Sequence, residues 1–183
     1  AGYTRDLPLE RLYRDNRLNH IHEGAWGIHG LDLLGRKVAL HGGAAFDLWR
    51  RTILLTIDST MPIEELRESA TLLRELTDLA SETTKHVMER QGAGEIERAL
   101  TNATIYLDAI GTITVGWRWL ERARIAITDL RNESRSSDEQ EFLRGKLFAA
   151  RHFFAQDIPR ARAQLGIVAS FDDAVLRLPE AGF

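Results

Sequence analysis

The chain has 183 residues, 44% hydrophobic and 28% charged, a balance that suits a soluble globular fold with a sizeable buried core and does not indicate disorder. Its 24 basic residues are scattered among 27 acidic ones for a formal net charge of -3, which argues against a nucleic-acid partner. The absence of cysteine excludes a disulfide framework, a thiolate metal site and a cysteine nucleophile and suits the cytoplasm, and no apolar run reaches the roughly 18 residues of a membrane span.

The four prolines, Pro8, Pro62, Pro159 and Pro179, each stand where a helix can begin or end, and the long stretches between them predict a nearly all-helical protein. Asp6-Leu7-Pro8 followed by Glu10-Arg11-Leu12 starts a short helix that runs out near Asn16. A second helix spans Gly24 to about Leu40, with Ile28, Leu31, Leu34 and Val38 at spacings of three and four, until Gly42-Gly43 breaks or kinks the chain. Ala45 to Ile57 is helical again. Ser59-Thr60-Met61-Pro62-Ile63-Glu64-Glu65 combines a hydroxyl cap, an early proline and first-turn acids, all of which favour a helix start. The helix that follows carries the seam Leu66, Ala70, Leu73, Leu76, Ala80 and Val87, which wants a partner helix, and ends around Gly92-Ala93-Gly94.

The longest element is predicted from Glu95 to about Leu130, with Ile96, Leu100, Ala103, Tyr106, Ile110, Ile113, Trp117, Leu120 and Ile127 on one broad apolar face. Ile110-Gly111-Thr112-Ile113-Thr114-Val115 tempts a strand, but the helical spacing continues on both sides of it. Asn132-Glu133-Ser134-Arg135-Ser136-Ser137-Asp138 reads as a mobile connection. Glu139 to about Ala155 is again amphipathic, Asp157-Ile158-Pro159 restarts the chain as a separate helix to about Ala169, and Ser170-Phe171-Asp172-Asp173 caps a last short turn. The expected fold is all-α, an up-down bundle of antiparallel helices.

Glu23 stands directly before Gly24 at the mouth of the second helix, where an acid is favoured by the helix dipole alone. His20, His22, Glu23 and His29 match no familiar metal-ligand spacing and read as surface or capping residues, so no metal is expected. Trp117, Trp119, Tyr106, Phe148, Phe153 and Phe154 read as core rather than as a ligand pocket. Arg118 and Arg122, one turn apart, read as a salt bridge or solvated edge rather than a receiver of an anionic CoA group. Gly111 and Gly116 read as close-packing positions, not as a phosphate loop.

The run Gly2-Tyr3-Thr4-Arg5-Asp6-Leu7-Pro8-Leu9-Glu10-Arg11-Leu12-Tyr13-Arg14-Asp15, with Ile21-His22-Glu23-Gly24, closely resembles the C-terminal part of acyl-CoA dehydrogenases. Leu31-Asp32-Leu33-Leu34-Gly35-Arg36-Lys37 narrows the resemblance to the large bacterial subgroup that includes methylthiopropionoyl-CoA dehydrogenase-like enzymes. Asn102-Ala103-Thr104-Ile105-Tyr106-Leu107, Gly116-Trp117-Arg118-Trp119-Leu120, the run from Lys146 to Phe154 and the closing Leu178-Pro179-Glu180-Ala181-Gly182-Phe183 look like the extra helical domain of that subgroup. On this resemblance residues 1–57 end the common helical core and residues 58–183 form an accessory helical bundle.

The resemblance implies FAD as cofactor, an acyl-CoA thioester as substrate, an electron-transfer acceptor as partner, and Glu23 as the base that removes the α-proton. Gly24, Ala25 and His29 then fall at positions near the flavin. The family pattern has threonine and glutamine where this chain has Ala25 and His29, so a hydroxyl contact to the cofactor is lost. The family's N-terminal helical and middle β-domains are not in this sequence, which implies a C-terminal segment of a longer enzyme, inactive when isolated and prone to homo-oligomerise through seams left open. The alternative expectation is a non-catalytic helical interaction module that keeps the motif as ancestry.

Overall fold

The computed structural model describes residues 5–6, 8–21, 25–131 and 135–178, and the described residues form helices joined by turns, with no strand among them. In chain order these are α1 (Leu9–Ile21), α2 (Trp26–Gly35), α3 (Ala44–Thr60), α4 (Arg67–Gly92), α5 (Ile96–Leu100), α6 (Ala103–Leu130) and α7 (Ser137–Ser170), with 3₁₀ turns at Lys37–Gly43, Glu64–Leu66 and Ala174–Arg177. The all-helical expectation holds.

The long pair α6 and α7 forms the spine of the bundle. They run antiparallel: Gly116 faces Phe153 and Ile158, while Ile125 and Ala126 share a groove with Phe142, Leu143 and Lys146. A side chain at Gly116 would put its Cβ 3.1 Å from Ile158 and 3.3 Å from Leu73, so this glycine lets three helices approach. The seam of Leu66, just before α4, and Ala70, Leu73, Leu76, Ala80 and Val87 within it is wholly buried, as its spacing predicts. It closes on α3, α6 and α7. One apolar interior runs from Leu34 and Val38 through Ile53, Leu73, Ile113 and Leu165 to Phe171.

Apart from the Thr83 hydroxyl, which is buried without a hydrogen-bond partner, the hydroxyls inside this interior are paired. The Tyr106 hydroxyl, fully buried, lies 2.6 Å from Thr84 Oγ1, which also donates to the Ala80 carbonyl at 2.6 Å, and burial pushes the phenol well above its ordinary pKa. The Trp49 indole donates to Thr114 Oγ1 at 3.1 Å and the Trp117 indole to Thr56 Oγ1 at 2.8 Å, tying α3 to α6. Ion pairs join the outer edges of the helices, Arg50 to Asp78 at 2.8 Å and Arg162 to Glu75 at 2.6 Å. Arg74 also pairs with Asp58.

Besides α1, which runs on to Ile21 instead of ending near Asn16, four boundaries differ from those read in the sequence. The second helix stops at Gly35, and the chain passes through three consecutive left-handed residues, His41, Gly42 and Gly43 (φ 52°, 67° and 86°), before α3. Glycine tolerates this backbone without the Cβ clash other residues suffer, so the Gly42-Gly43 pair breaks the helix as read. The segment from Glu95 to Leu130 is split at Thr101-Asn102, where the Thr101 hydroxyl bonds the Glu97 carbonyl and α6 starts afresh at Ala103.

The third difference is at Pro159, which does not restart the chain: α7 continues through it. Ala150, Phe154, Ile158, Ala161, Leu165 and Val168 keep one buried stripe across the proline, while Pro159 and Ala155 face solvent. The carbonyl that loses its N–H partner therefore has water, and packing outweighs the local propensity.

The fourth concerns the connection before α7. Asn132, Glu133 and Ser134 lie outside the described residues, but Ser136 to Asp138 belong to the helix start. Ser136 accepts from the Glu139 amide at 3.3 Å while Glu139 accepts from the Ser136 amide at 2.9 Å, a reciprocal capping box. These bonds, with Arg135, hold the Glu139 carboxyl below its ordinary pKa. Ser136→Ala is expected to destabilise the chain by about 1 kcal/mol, read as a lower urea midpoint with unchanged slope.

Candidate functional site: the start of α2

Glu23 and Gly24, the core of the sequence motif, lie outside the described residues. The structure takes up the chain at Ala25, which is half-buried and immediately precedes α2; its carbonyl accepts the His29 amide at 2.8 Å. The N-cap residue Ala25 has no side-chain oxygen to offer the leading amides of the first turn of α2. His29 lies one turn along and is exposed. Ala25 and His29 thus share the first turn of one short helix.

The position of α2 is set from below by α6. A Cβ built on Gly30 would fall 2.8 Å from the carbonyl carbon and oxygen of Ala103 and 2.9 Å from the Thr104 nitrogen, and one on Gly35 would fall 3.2 Å from Leu100. Gly30 is buried, and Leu34 and Val38 beyond it enter the common interior. At the far end of the helix Asp32 accepts from Arg36 at 2.6 Å and lies 3.2 Å from Lys37, which holds its carboxyl below the usual range. The outer face of α2 is apolar and open, with Trp26, Ile28 and Leu31 exposed.

Sequence reasoning reached α2 but missed how closely it sits on α6. The signal was present in Gly30, a glycine inside an apolar helical repeat, where it costs helix propensity unless a close contact requires it.

The other candidates resolve individually. Among the described residues no three His, Asp or Glu side chains gather as a metal site, and His29 stands apart. Tyr106 and Phe154 are core and Trp117, Trp119 and Phe153 line it, whereas Phe148 is exposed because it falls on the outer face of α7, opposite the buried stripe. Arg118 pairs with Glu121 at 2.5 Å and lies over Trp117, and Arg122 lies over Trp119, a solvated edge as expected. Gly116 is a close-packing position; Gly111 is not, since a side chain there would meet open space.

A cavity of about 430 Å³ opens beside the left-handed turn, lined by Val38, Phe46, Thr84, Lys85, Met88 and Glu89 among others. None of the cavities of the bundle described here includes Ala25 or His29.

The all-helical fold of the described residues is consistent with an acyl-CoA dehydrogenase C-terminal domain. Residues 51–179 match the family described as Acetyl-CoA dehydrogenase C-terminal like, and the chain belongs to that family. Among curated relatives, the broad-specificity linear acyl-CoA dehydrogenase FadE5 of Mycobacterium tuberculosis is 26% identical over 188 residues, a match that covers 100% of this chain and 31% of that protein. The 3-methylmercaptopropionyl-CoA dehydrogenase of Ruegeria pomeroyi is 25% identical over 176 residues, covering 96% of this chain and 29% of its own length. The chain therefore spans less than a third of the curated relatives it matches.

Proposed function

We propose that this chain is the C-terminal portion of an FAD-dependent acyl-CoA dehydrogenase, in which Glu23 removes the α-proton of an acyl-CoA thioester during α,β-desaturation. The observation that carries the reading is the match of the entire chain to under a third of an acyl-CoA dehydrogenase. In this reading residues 1–57 end the catalytic core and residues 58–183 form the accessory bundle.

A carboxylate such as Glu23 becomes a stronger base when closure around the substrate strips its water, because desolvation raises its pKa towards that of the proton it must accept. The acidity of the α-carbon comes from the neighbouring thioester carbonyl, and FAD, when bound, supplies acceptance of the hydride from the β-carbon. In this reading the chain supplies one edge of the cofactor site rather than an enclosing pocket. The amides of the first turn of α2, which Ala25 has no side chain to cap, suit carbonyl or phosphate oxygens. Gly24, Ala25 and His29 are proposed to border the flavin there, with backbone groups replacing the hydroxyl that Ala25 lacks.

An electron-transfer acceptor, a homo-oligomeric assembly and a cytoplasmic location belong to the same proposal. Among the described residues no helix is long and apolar enough to cross a membrane.

The test is the protein encoded by the whole reading frame that contains this chain. It is expected to purify with visible flavin absorption, which bleaches when an acyl-CoA is added without an acceptor, and to reduce a dye when one is supplied. A colourless protein that neither binds added FAD nor reduces the dye with short, medium or long acyl-CoAs overturns the reading.

A further inference from the structure

The outer side of the α6 and α7 pair carries a groove whose charged lining is entirely positive. One part is a cavity of about 350 Å³ lined by Arg122, Ile125 and Ala126 of α6 and by Phe142, Leu143 and Lys146 of α7. Arg122 also borders a second hollow of about 400 Å³ that follows α6 past Trp119 to Val115, with Arg118 at its edge. No Asp or Glu lines either part. Arg118 is neutralised by Glu121 at 2.5 Å, but among the described residues no acid pairs with Arg122 or Lys146. Arg50, Arg74 and Arg162, on other edges of the bundle, each have an acidic partner.

Both cations stay over the apolar lining. The Arg122 guanidinium lies 5.6 Å from the centre of the Trp119 ring, and the Lys146 ammonium lies 4.6 Å from that of Phe142. An aromatic face holds a cation in place without discharging it, so an anion is the missing counterpart. Ile125 and Phe142 are 48% and 62% exposed, which leaves the lining open to a ligand. Between the two cations Ile125, Ala126, Phe142 and Leu143 offer no side-chain hydrogen-bond donor or acceptor. A sugar, a nucleobase or an extended peptide would have its polar groups left unpaired there, whereas a hydrocarbon has none to pair. The matching ligand is an aliphatic chain that ends in one anionic group. A carboxylate has two oxygens, enough to accept from Arg122 and Lys146 together.

We propose that this groove is a binding site for a fatty carboxylate, its headgroup held between Arg122 and Lys146 and its chain laid along Ile125, Phe142 and Leu143. The cavity volume falls in the lower part of the roughly 300–1,000 Å³ range of small-molecule sites. No residue of α2 lines the groove, and the proposal does not depend on the reading of Glu23 as a base.

Calorimetry on the full chain tests it, with laurate kept below its micellar concentration as the probe. Laurate is expected to bind saturably at a single site, and dodecyltrimethylammonium, which has the same tail and the opposite charge, about tenfold or more weakly. From octanoate to laurate the affinity should rise about twofold for each CH₂, less than the roughly fourfold of full burial because the groove is open on one side. Arg122→Gln and Lys146→Gln are each expected to weaken laurate roughly three- to tenfold, and Arg122→Glu combined with Lys146→Glu should reverse the preference between the two amphiphiles. Phe142→Ser should flatten the dependence on chain length. Arg122→Lys keeps the charge and should retain most of the affinity; it serves should Arg122→Gln fold poorly. In the 15N-labelled chain the indole N–H signal lost in Trp119→Phe identifies Trp119, and that signal should shift when laurate draws Arg122 towards its headgroup.

Equal binding of the two amphiphiles overturns the proposal, as does laurate binding that is not saturable or that the Gln and Glu variants leave unchanged. Phosphatidylglycerol vesicles that bind through Arg122 and Lys146 while monomeric laurate does not would assign the groove to a membrane surface, and the proposal falls. It falls equally if laurate leaves the Trp119 signal unmoved and dilution of the unliganded chain shifts it, which would assign the groove to a second copy.

Discussion

Glu23→Gln in the flavin-binding protein that contains this chain is expected to lower kcat by about a thousandfold or more while flavin stays bound. Glutamine keeps the length and shape of the side chain and removes the proton acceptor, and a positioned general base is worth roughly 10²- to 10⁴-fold. The isosteric change leaves binding contacts in place, so the loss should fall on kcat and on kcat/KM equally. Stopped-flow bleaching of the flavin by acyl-CoA reads the proton-removal step directly, and the visible spectrum of the resting protein reports cofactor occupancy. Native bleaching rates in the Gln variant would show that the base lies elsewhere.

Gly30→Ala is expected to have the largest effect on the described structure. The added methyl would sit 2.8 Å from two backbone atoms of Ala103, which cannot rotate away as a side chain can. The helices must separate, and overpacking of this kind costs about 1–3 kcal/mol or more. Separation also withdraws Leu34 from the interior. Urea unfolding should show a lower midpoint. Gly27→Ala is the control. A Cβ there meets nothing within 4 Å, so stability should hold or rise slightly through better helix propensity. Equal losses in the two variants would mean that propensity, not contact, governs α2.

Much of this architecture is legible in the sequence because its strongest signal is periodic. The α4 seam from Leu66 to Val87 and the α6 face through Tyr106, Ile113 and Leu120 recur at helical spacing, and all of these residues are buried. Spacing fails where a local rule meets a tertiary one. Pro159 reads as a boundary, yet the buried stripe from Phe154 to Leu165 carries α7 past it. Thr101 and Asn102 carry no strong breaker, and the turn there becomes intelligible only with Gly30 of α2 seated against Ala103. Phe148 shows that aromatic character alone does not predict burial when the residue falls on the outer face.

The candidate site is legible in a different way. The Glu23-Gly24 step carries its meaning through resemblance and not through periodicity, and a lone acid before a helix would otherwise be an ordinary dipole partner. Family resemblance names residues that a substrate would meet. It is silent about Gly30, which meets α6 from inside the fold, since its meaning depends on which helix lies opposite.

The seating of Gly30 on Ala103 also bears on how such a chain can diverge. A larger residue at position 30 becomes tolerable only if the backbone at 103–104 retreats, and a retreat there leaves a gap unless position 30 fills it. Either change alone is penalised, so the two places are expected to drift as a pair, across roughly seventy residues of intervening chain. A bundle borrowed from a distant homologue would therefore not fit beneath this motif helix without its matching α2.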